Sequence, residues 1–370
     1  MRRVGIDCRF AAAHGGLGTY TRSIVAALFR RNDSLSYVLF VRSMHEDWLH
    51  ELPKREGVAI IEAPFRQYSV AEQIKFPSLI RHSGSDLLYS PSFNVPLFCP
   101  VPFIATVHDL ILHRYPNEAG FLKRIAYRFV FGRTVKRASS LIVVSESTKK
   151  DLIQSYPSCS QKIEVSYPGV SEIFIPASKE AINSLRLKYG LHKPFLLYVG
   201  NCKQHKNVPT LIEAFTKARL QNVDLLLVSG GKECSSLALP AGVRTLSDID
   251  TADFPALYGA ALGLVTATRA EGFGLPMVEA MACGCPVLAT TCGSIPEICG
   301  SHALLVPPAV DALADGMSRI VNDLELRNPS KLAAAREWVK RYDWRKSAEA
   351  IASLFLPCPP SAPPLHSSSI

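Results

Sequence analysis

Short apolar runs alternate along the chain with longer segments in which apolar residues recur at helical spacing. In the first half, strands are predicted at residues 4–6, 37–41, 86–89, 103–107 and 141–144, with helices over 19–30 and from 147 onward. In the second half, strands are predicted at 195–199, 224–228, 262–265 and 286–289, with helices at 208–218, 253–260 and 276–282. This alternation is typical of parallel sheets with crossover helices, and its two runs predict an α/β protein of two doubly wound domains.

The domain boundaries are expected where proline, glycine and polar residues accumulate. A join is expected near 168–194, which gives an N-terminal domain over 1–175 and a C-terminal domain over 190–340. A helix over 343–356 is expected to return to the N-terminal domain. The tail 357–370 is rich in proline and serine and is predicted to be disordered.

The composition allows two ordinary hydrophobic cores. Of the 370 residues, 48% are hydrophobic and 20% are charged, which argues against disorder. The net charge of +9 favours an anionic partner such as a phosphate ester, an anionic lipid or nucleic acid. No run approaches the roughly 20 apolar residues of a membrane span, and Asp7 and Arg9 interrupt any signal-like start, so a cytoplasmic protein is expected.

Four of the ten cysteines lie close together in sequence, at Cys283, Cys285, Cys292 and Cys299. Their spacing lacks the paired C-x2-C pattern of common zinc sites, so buried, reduced thiols are favoured over a metal site. Ten cysteines in a chain of this length also fall short of a disulfide scaffold.

The sequence Glu-Gly-Phe-Gly-Leu-Pro-Met-Val-Glu at 271–279 follows a predicted strand and carries the most informative chemistry. Its two glycines let a ligand approach the backbone, and Pro276 suits the first turn of a helix. The start of that helix would favour a phosphate, and the carboxylates of Glu271 and Glu279 would accept hydrogen bonds from vicinal hydroxyls. The alternative is a glycine-rich turn in which Glu279 only stabilises the helix dipole.

Three other loops also follow predicted strands. They are Gly15-Gly16-Leu17-Gly18, His108-Asp109, and the segment 200–207, which contains Lys203 and Lys206. Lysines beyond the carboxyl end of a strand suit a diphosphate, although a basic turn is often only solvated and a lone histidine is often only structural. Four such loops at strand ends in two domains favour a shared ligand site.

These segments resemble glycosyltransferase family 4, whose members have the GT-B fold of two Rossmann-like domains that face each other across a cleft. The resemblance covers nearly the whole chain apart from the tail. It rests on residues 15–16, 106–110, 144–147, 167–170, 206–207, 257–258, 271–279, 281–287 and 295–297.

The resemblance implies an acceptor-side N-terminal domain and a C-terminal domain that binds a nucleotide-diphosphate sugar. Glu271 resembles the glutamate near the reacting centre, Glu279 the one that binds the ribose, and Lys206 the lysine that neutralises the diphosphate. The donor loop contains Gly272, Phe273, Gly274 and Leu275.

On the N-terminal side, His108 resembles the histidine near the donor sugar, and Gly15 and Gly16 resemble the glycines beside the phosphates and acceptor. Ser145 resembles a serine at the interdomain cleft. Many members carry arginine where this chain has Asn201, so Lys203 is the candidate for the second positive charge.

The resemblance implies a retaining hexosyltransferase without a cofactor or metal, and no Asp-x-Asp metal motif is seen. Asn201 followed by His-Lys-Asn resembles mannosyl- and rhamnosyltransferases of surface polysaccharides, which makes GDP-mannose the first donor to consider and a glycan or lipid-linked acceptor the expected partner. The alternatives are a sugar-nucleotide epimerase, a phosphorylase and a non-catalytic scaffold. A nicotinamide dehydrogenase is disfavoured because the loop after Gly16 lacks the third glycine of G-x-G-x-x-G.

Residues 121–137 are predicted to form an amphipathic helix that docks on an anionic membrane at the inner face of the plasma membrane. The apolar residues expected to face the core are Phe121, Leu122, Ile125, Ala126, Phe129 and Val130. The surface is expected to carry Lys123, Arg124, Arg128, Arg133, Lys136 and Arg137, with Tyr127 and Phe131 nearby. A solvated charged face is the alternative, and nucleic acid is not expected because no recognised binding motif accompanies the charge.

Overall fold

The structure is a computed structural model that describes residues 2–13, 15–65, 67–118, 120–229, 234 and 237–356, without the side chain of Leu122. The predicted disorder of the tail 357–370 therefore lies outside the described residues. The strands are β1 (Arg3–Asp7), β2 (Ser36–Val41), β3 (Val58–Glu62), β4 (Leu87–Ser90), β5 (Phe103–Val107), β6 (Ser140–Val143), β7 (Ile163–Val165), β8 (Phe195–Val199), β9 (Asp224–Val228), β10 (Val243–Leu246), β11 (Gly263–Val265), β12 (Val287–Thr290) and β13 (Leu304–Val306). The α-helices are α1 (Gly16–Phe29), α2 (Val70–His82), α3 (Ile111–Arg114), α4 (Phe121–Arg137), α5 (Glu146–Ser155), α6 (Lys179–Lys188), α7 (Val208–Ala218), α8 (Phe254–Ala260), α9 (Leu275–Ala282), α10 (Ile295–Cys299), α11 (Val310–Asn322), α12 (Pro329–Val339) and α13 (Trp344–Ser353).

Two parallel sheets organise the chain, as the alternation of strands and helices predicts. The first has the strand order β3-β2-β1-β4-β5-β6-β7 and the second the order β10-β9-β8-β11-β12-β13. The order reverses on either side of β1, where Gly5 pairs with both Val38 and Leu88. It also reverses on either side of β8, where Leu197 pairs with Leu226 and Leu264. In doubly wound sheets, such switch points open a crevice at the carboxyl ends of the strands, so each sheet offers a ligand site at the same kind of edge.

The chain returns to the first sheet at its C-terminal end. Helix α13 packs against α1, where the rings of Trp344 and Tyr20 lie 5.5 Å apart in an edge-to-face contact. Beyond α13, the backbone carbonyl of Phe355 accepts a hydrogen bond from Arg2 Nη1 at 2.5 Å. The polar helix α6 packs instead beside α8 of the second sheet, where a Cβ built on Gly259 would lie 3.2 Å from the Ile182 side chain.

Helix α4 has the predicted bounds, and Val130 is buried as predicted, but most of the described residues of the predicted inward face are exposed. Phe121, Ile125 and Phe129 are 65%, 51% and 61% exposed, whereas Tyr127 and Phe131 are buried. The helix carries apolar residues on two stripes, and the stripe with the Tyr127 and Phe131 rings fills the core because these rings pack around Phe93. The other stripe is left on the surface.

Most of the clustered cysteines are buried thiols, as predicted. Cys283, Cys285 and Cys299 are buried and free, and Cys292 is free and partly exposed. One disulfide, which the sequence does not indicate, joins Cys202 in the loop after β8 to Cys234 in the segment after β9. No helix within the described residues has both the length and the apolar character that a membrane span requires.

Candidate active site

A cleft of about 1840 Å³ lies between the two sheets, lined by residues from the carboxyl ends of strands in both. Most of the site residues predicted from the sequence line it together. They are Gly15, Gly16, His108, Asn201, Lys206, Glu271, Gly272, Phe273, Gly274, Leu275 and Glu279. The predicted loops therefore converge although they are far apart in sequence.

Lys206 and Glu271, which both line the cleft, form an ion pair. Lys206 ends a 3₁₀ turn after β8, and Glu271 opens the loop before α9. Lys206 Nζ donates to the two carboxylate oxygens of Glu271 at 2.9 and 2.6 Å, and both side chains are largely buried. A cation and an anion are thus held in the cleft at a position where an incoming anionic group can compete for the lysine.

The glycines at 272 and 274 fix the course of the loop before α9. Gly274 has φ 97°, a left-handed conformation that disfavours other residues. A Cβ on Gly272 would lie 1.9 Å from the carbonyl oxygen of His108, so this glycine lets the two domains approach closely. Since α9 begins at Leu275 with Pro276 in its first turn, the positive end of the helix dipole opens on the cleft.

Glu279 lies one turn into α9 and accepts a hydrogen bond from the Tyr258 hydroxyl at 2.9 Å. Burial raises the pKa of the Glu279 carboxyl to about 7, although the Tyr258 hydroxyl acts in the opposite direction. The sequence assigns no contact to Tyr258, because the spacing of 21 residues between the two gives no local signal. Glu279 thus presents a weakly acidic carboxyl to the cleft.

His108 follows β5 on the N-terminal side of the cleft. Its Nε2 lies 2.8 Å from the carbonyl oxygen of Pro91, which can only accept, so Nε2 carries the proton. Burial lowers the pKa of His108, which keeps the ring neutral at pH 7, and the ring of Tyr20 packs edge-on at 4.6 Å. Because its second ring nitrogen then has no proton, His108 offers the site an acceptor.

Helix α1 begins on the same side of the cleft. Gly15 has φ 93° and precedes the first helical residue, Gly16, without a side-chain cap or an acidic residue in the first turn. A Cβ built on Gly15 or Gly16 would meet nothing within 4 Å, so the backbone there is open to the cleft. A second helix start is therefore available to an anion.

Two predicted residues do not line the cleft. Ser145 is fully buried and is not among the residues that line the cleft, and its hydroxyl caps α5 by accepting a hydrogen bond from Thr148 N at 3.0 Å. Lys203 is exposed outside the cleft, and its backbone N–H bonds to Asn201 Oδ1 at 3.2 Å. The motif predicts both residues beside the site, but neither is part of the cleft lining.

Two contacts across the domains have no counterpart in the sequence prediction. Glu118 of the N-terminal side bonds to His205 beside Lys206. Glu297 of α10 bonds to the start of α5. The motif at 295–297 contains Glu297, but only the three-dimensional structure indicates what it contacts.

Comparisons with known proteins agree with this architecture. Residues 14–172 match the family described as Glycosyltransferase Family 4, and residues 193–323 match the family described as Glycosyl transferases group 1. The O-antigen chain mannosyltransferase RfbU of Salmonella typhimurium is 27% identical over 74% of this chain and 74% of its own length. O-antigen chain mannosyltransferase B of Escherichia coli is 27% identical over 65% of this chain and 66% of its own length.

Among solved structures, the sucrose-phosphate synthase of Thermosynechococcus elongatus superposes with a TM-score of 0.77 at 22% identity, covering 96% of this chain and 98% of that one. This likeness establishes the GT-B fold. With the two family matches spanning most of both sheets, the chain belongs to glycosyltransferase family 4 and is a glycosyltransferase.

Proposed function

We propose that this enzyme is a retaining, metal-independent hexosyltransferase whose donor is a nucleotide-diphosphate sugar. The observation that carries the proposal is the convergence of Lys206, Glu271, Glu279 and the start of α9 on one cleft. In this proposal, Lys206 and the α9 dipole bind the diphosphate, Glu279 binds the ribose, and Glu271 and His108 contact the donor sugar. Gly15, Gly16 and the loop 272–275 let the donor approach the backbone.

The charges of the cleft suit the departure of a nucleoside diphosphate. Negative charge builds on the leaving oxygen while positive charge builds on the sugar ring. In this proposal, Lys206 and the helix dipole stabilise the first of these charges, and Glu271 supplies a carboxylate for the second. We therefore propose that no metal is needed. We also propose that the acceptor oxygen bonds to the sugar on the same face from which the nucleoside diphosphate departs, and that no covalent glycosyl-enzyme forms.

The proposed sugar is mannose, with GDP-mannose as donor and a glycan or lipid-linked acceptor. Support comes from the printed names of the two O-antigen chain mannosyltransferases. We propose that transfer takes place at the cytoplasmic face of a membrane.

The exposed stripe of α4 supports a membrane-docking surface, which we define as Phe121, Ile125 and Phe129 with the flanking cations Lys123 and Arg124. Exposure of three large apolar side chains to water on one helix face is unfavourable, and their transfer into the apolar part of a bilayer lowers the free energy. Each neighbouring cation near an anionic leaflet can add about 1 kcal/mol. An anionic membrane therefore fits this surface better than solvent does.

A panel of sugar nucleotides, each tested for protection against thermal unfolding and for release of its nucleoside diphosphate, tests the donor assignment. GDP-mannose is expected to protect best, and the configuration of the product is expected to match that of the donor. Formation of an isomeric nucleotide sugar, without net release of nucleoside diphosphate, would favour an epimerase. Complete loss of turnover after chelation would overturn the metal-independent mechanism, and absence of any nucleotide binding would leave the scaffold as the better account.

A further inference from the structure

A carboxylate of the N-terminal domain is inserted into the loop that carries Lys206. Glu118 ends the 3₁₀ turn Pro116–Glu118, and its Oε1 accepts two hydrogen bonds from His205, one from the backbone N–H and one from Nδ1, each at 2.8 Å. The Glu118 and His205 side chains are only 8% and 7% exposed. A buried ionised oxygen with two donors is a strong and specific contact, since either partner left alone would be an unsatisfied buried group.

The other side of His205 is held by its own domain. Its backbone carbonyl accepts hydrogen bonds from Arg269 N at 2.8 Å and Thr268 Oγ1 at 3.2 Å. The next residue but one, Asn207, has a left-handed backbone with φ 57° and donates from Nδ2 to Ala267 O. The turn Gln204–Lys206 is thus fixed between the Glu118 carboxylate of the N-terminal domain and the segment 267–269. This segment follows β11 and is continuous with the loop that begins at Glu271.

We propose that Glu118 is a positioning residue for the donor diphosphate, acting through the backbone of the turn that carries Lys206. This inference deepens the proposed function and rests on it. Lys206 must leave Glu271 when a diphosphate binds, and the turn must stay in place while the side chain moves. Because Glu118 belongs to the opposite domain, the lysine is fully positioned only while the domains are together.

The test compares Glu118→Ala and Glu118→Gln with the wild-type enzyme, using GDP and UDP as probes of diphosphate affinity. Glu118→Ala is expected to weaken the binding of the diphosphate that the wild type prefers by about tenfold, the size of one lost charged hydrogen bond. Glu118→Gln keeps an acceptor oxygen and is expected to weaken it less. In turnover assays, the donor KM should rise while the acceptor KM stays unchanged, a split that general destabilisation does not produce.

Hydrogen exchange supplies a second readout that does not depend on activity. The amides of residues 205–207 should exchange faster in Glu118→Ala, whereas the amides in the middle of α7 should not change. The matched control is Asp151→Ala, which removes the Arg114 ion pair on the same domain without affecting an interdomain contact. If Glu118→Ala is too unstable to assay, Glu118→Gln must show a smaller change in the same direction.

The two proposals fail in different ways. If the wild type binds neither diphosphate, the proposed donor site is wrong. If the wild type binds one of them and the Glu118 variants bind it equally well with unchanged exchange at 205–207, the donor site stands and the positioning role is wrong.

Discussion

At the scale of single residues, the Lys206–Glu271 pair is the feature on which the chemistry depends. The two side chains neutralise each other at 2.6 Å in a partly buried setting. A diphosphate offers the lysine more negative charge than one carboxylate does, so binding exchanges one partner for another and frees Glu271 to face the sugar.

Lys206→Ala and Glu271→Ala are each expected to lower kcat/KM by about a hundredfold, roughly 3 kcal/mol of lost transition-state stabilisation. The measurement is steady-state release of nucleoside diphosphate by purified variants, with circular dichroism as the check on folding. Lys217→Ala, which removes an exposed lysine paired with Asp311, is the control and should leave turnover unchanged. Near-normal turnover in either site variant would contradict the assigned roles.

Glu279 gives donor binding a pH dependence. With its pKa raised to about 7 by burial, the carboxyl is mostly ionised at pH 8 and mostly protonated at pH 6. Since the ionised form is the better acceptor for ribose hydroxyls, nucleotide affinity should fall by about tenfold as the pH is lowered from 8 to 6. Isothermal titration across this range is the measurement. The same profile in Glu279→Gln should be flat near pH 7, and an unchanged inflection there would assign it to another group.

The sequence predicts which loops meet at the cleft better than it predicts where each side chain points. Residues whose position follows from a strand end or a helix start, such as Lys206 and Gly274, are found lining the cleft. Lys203 and Ser145 lie in the same motifs but do not line the cleft, since Lys203 is exposed outside it and the Ser145 hydroxyl caps α5. Such local competition is not visible in spacing alone.

At the scale of elements, α4 shows what helical periodicity leaves undecided. The sequence predicts its bounds, but with apolar residues on two stripes, periodicity does not choose which stripe is buried. The choice depends on Phe93 and Tyr156, whose rings lie 5.2 and 5.6 Å from that of Phe131. These partners are distant in sequence, so only the tertiary fold specifies them.

Replacing Phe121, Ile125 and Phe129 together by serine is expected to reduce binding to anionic vesicles without lowering stability, because all three side chains are exposed. A loss of at least about tenfold in partition is expected from removing three large apolar groups. Co-sedimentation at several salt concentrations is the measurement. The control is Leu187→Ser, which changes an apolar residue on α6 that is 79% exposed. Equal binding by wild type and triple variant would exclude the docking surface.

At the scale of the whole molecule, polar contacts join the two domains in addition to apolar packing such as that of Tyr167 against Phe273. Glu297 of α10 accepts hydrogen bonds from Glu146 N at 2.8 Å, Ser147 N at 3.0 Å and the Tyr167 hydroxyl at 2.6 Å. Its carboxylate therefore sits at the positive end of α5, on the other side of the cleft. Together with Glu118 and His205, this contact joins the domains at a second point around the same site.

Glu297→Ala is therefore expected to weaken the contact between the two domains while leaving each domain folded. It removes the acceptor of two amides at the start of α5, which have no partner within their own helix because the first N–H groups of a helix point outward. The exchange of the Glu146 and Ser147 amides should accelerate by about tenfold, and the radius of gyration from X-ray scattering should increase. Glu325→Ala, an exposed acid paired with Lys331, should change neither quantity. Because the donor and acceptor sides meet across this cleft, kcat should fall when the contact between the domains is weakened. A Glu297→Ala enzyme with unaltered amide exchange, scattering and kcat would show that Glu297 does not hold the domains together.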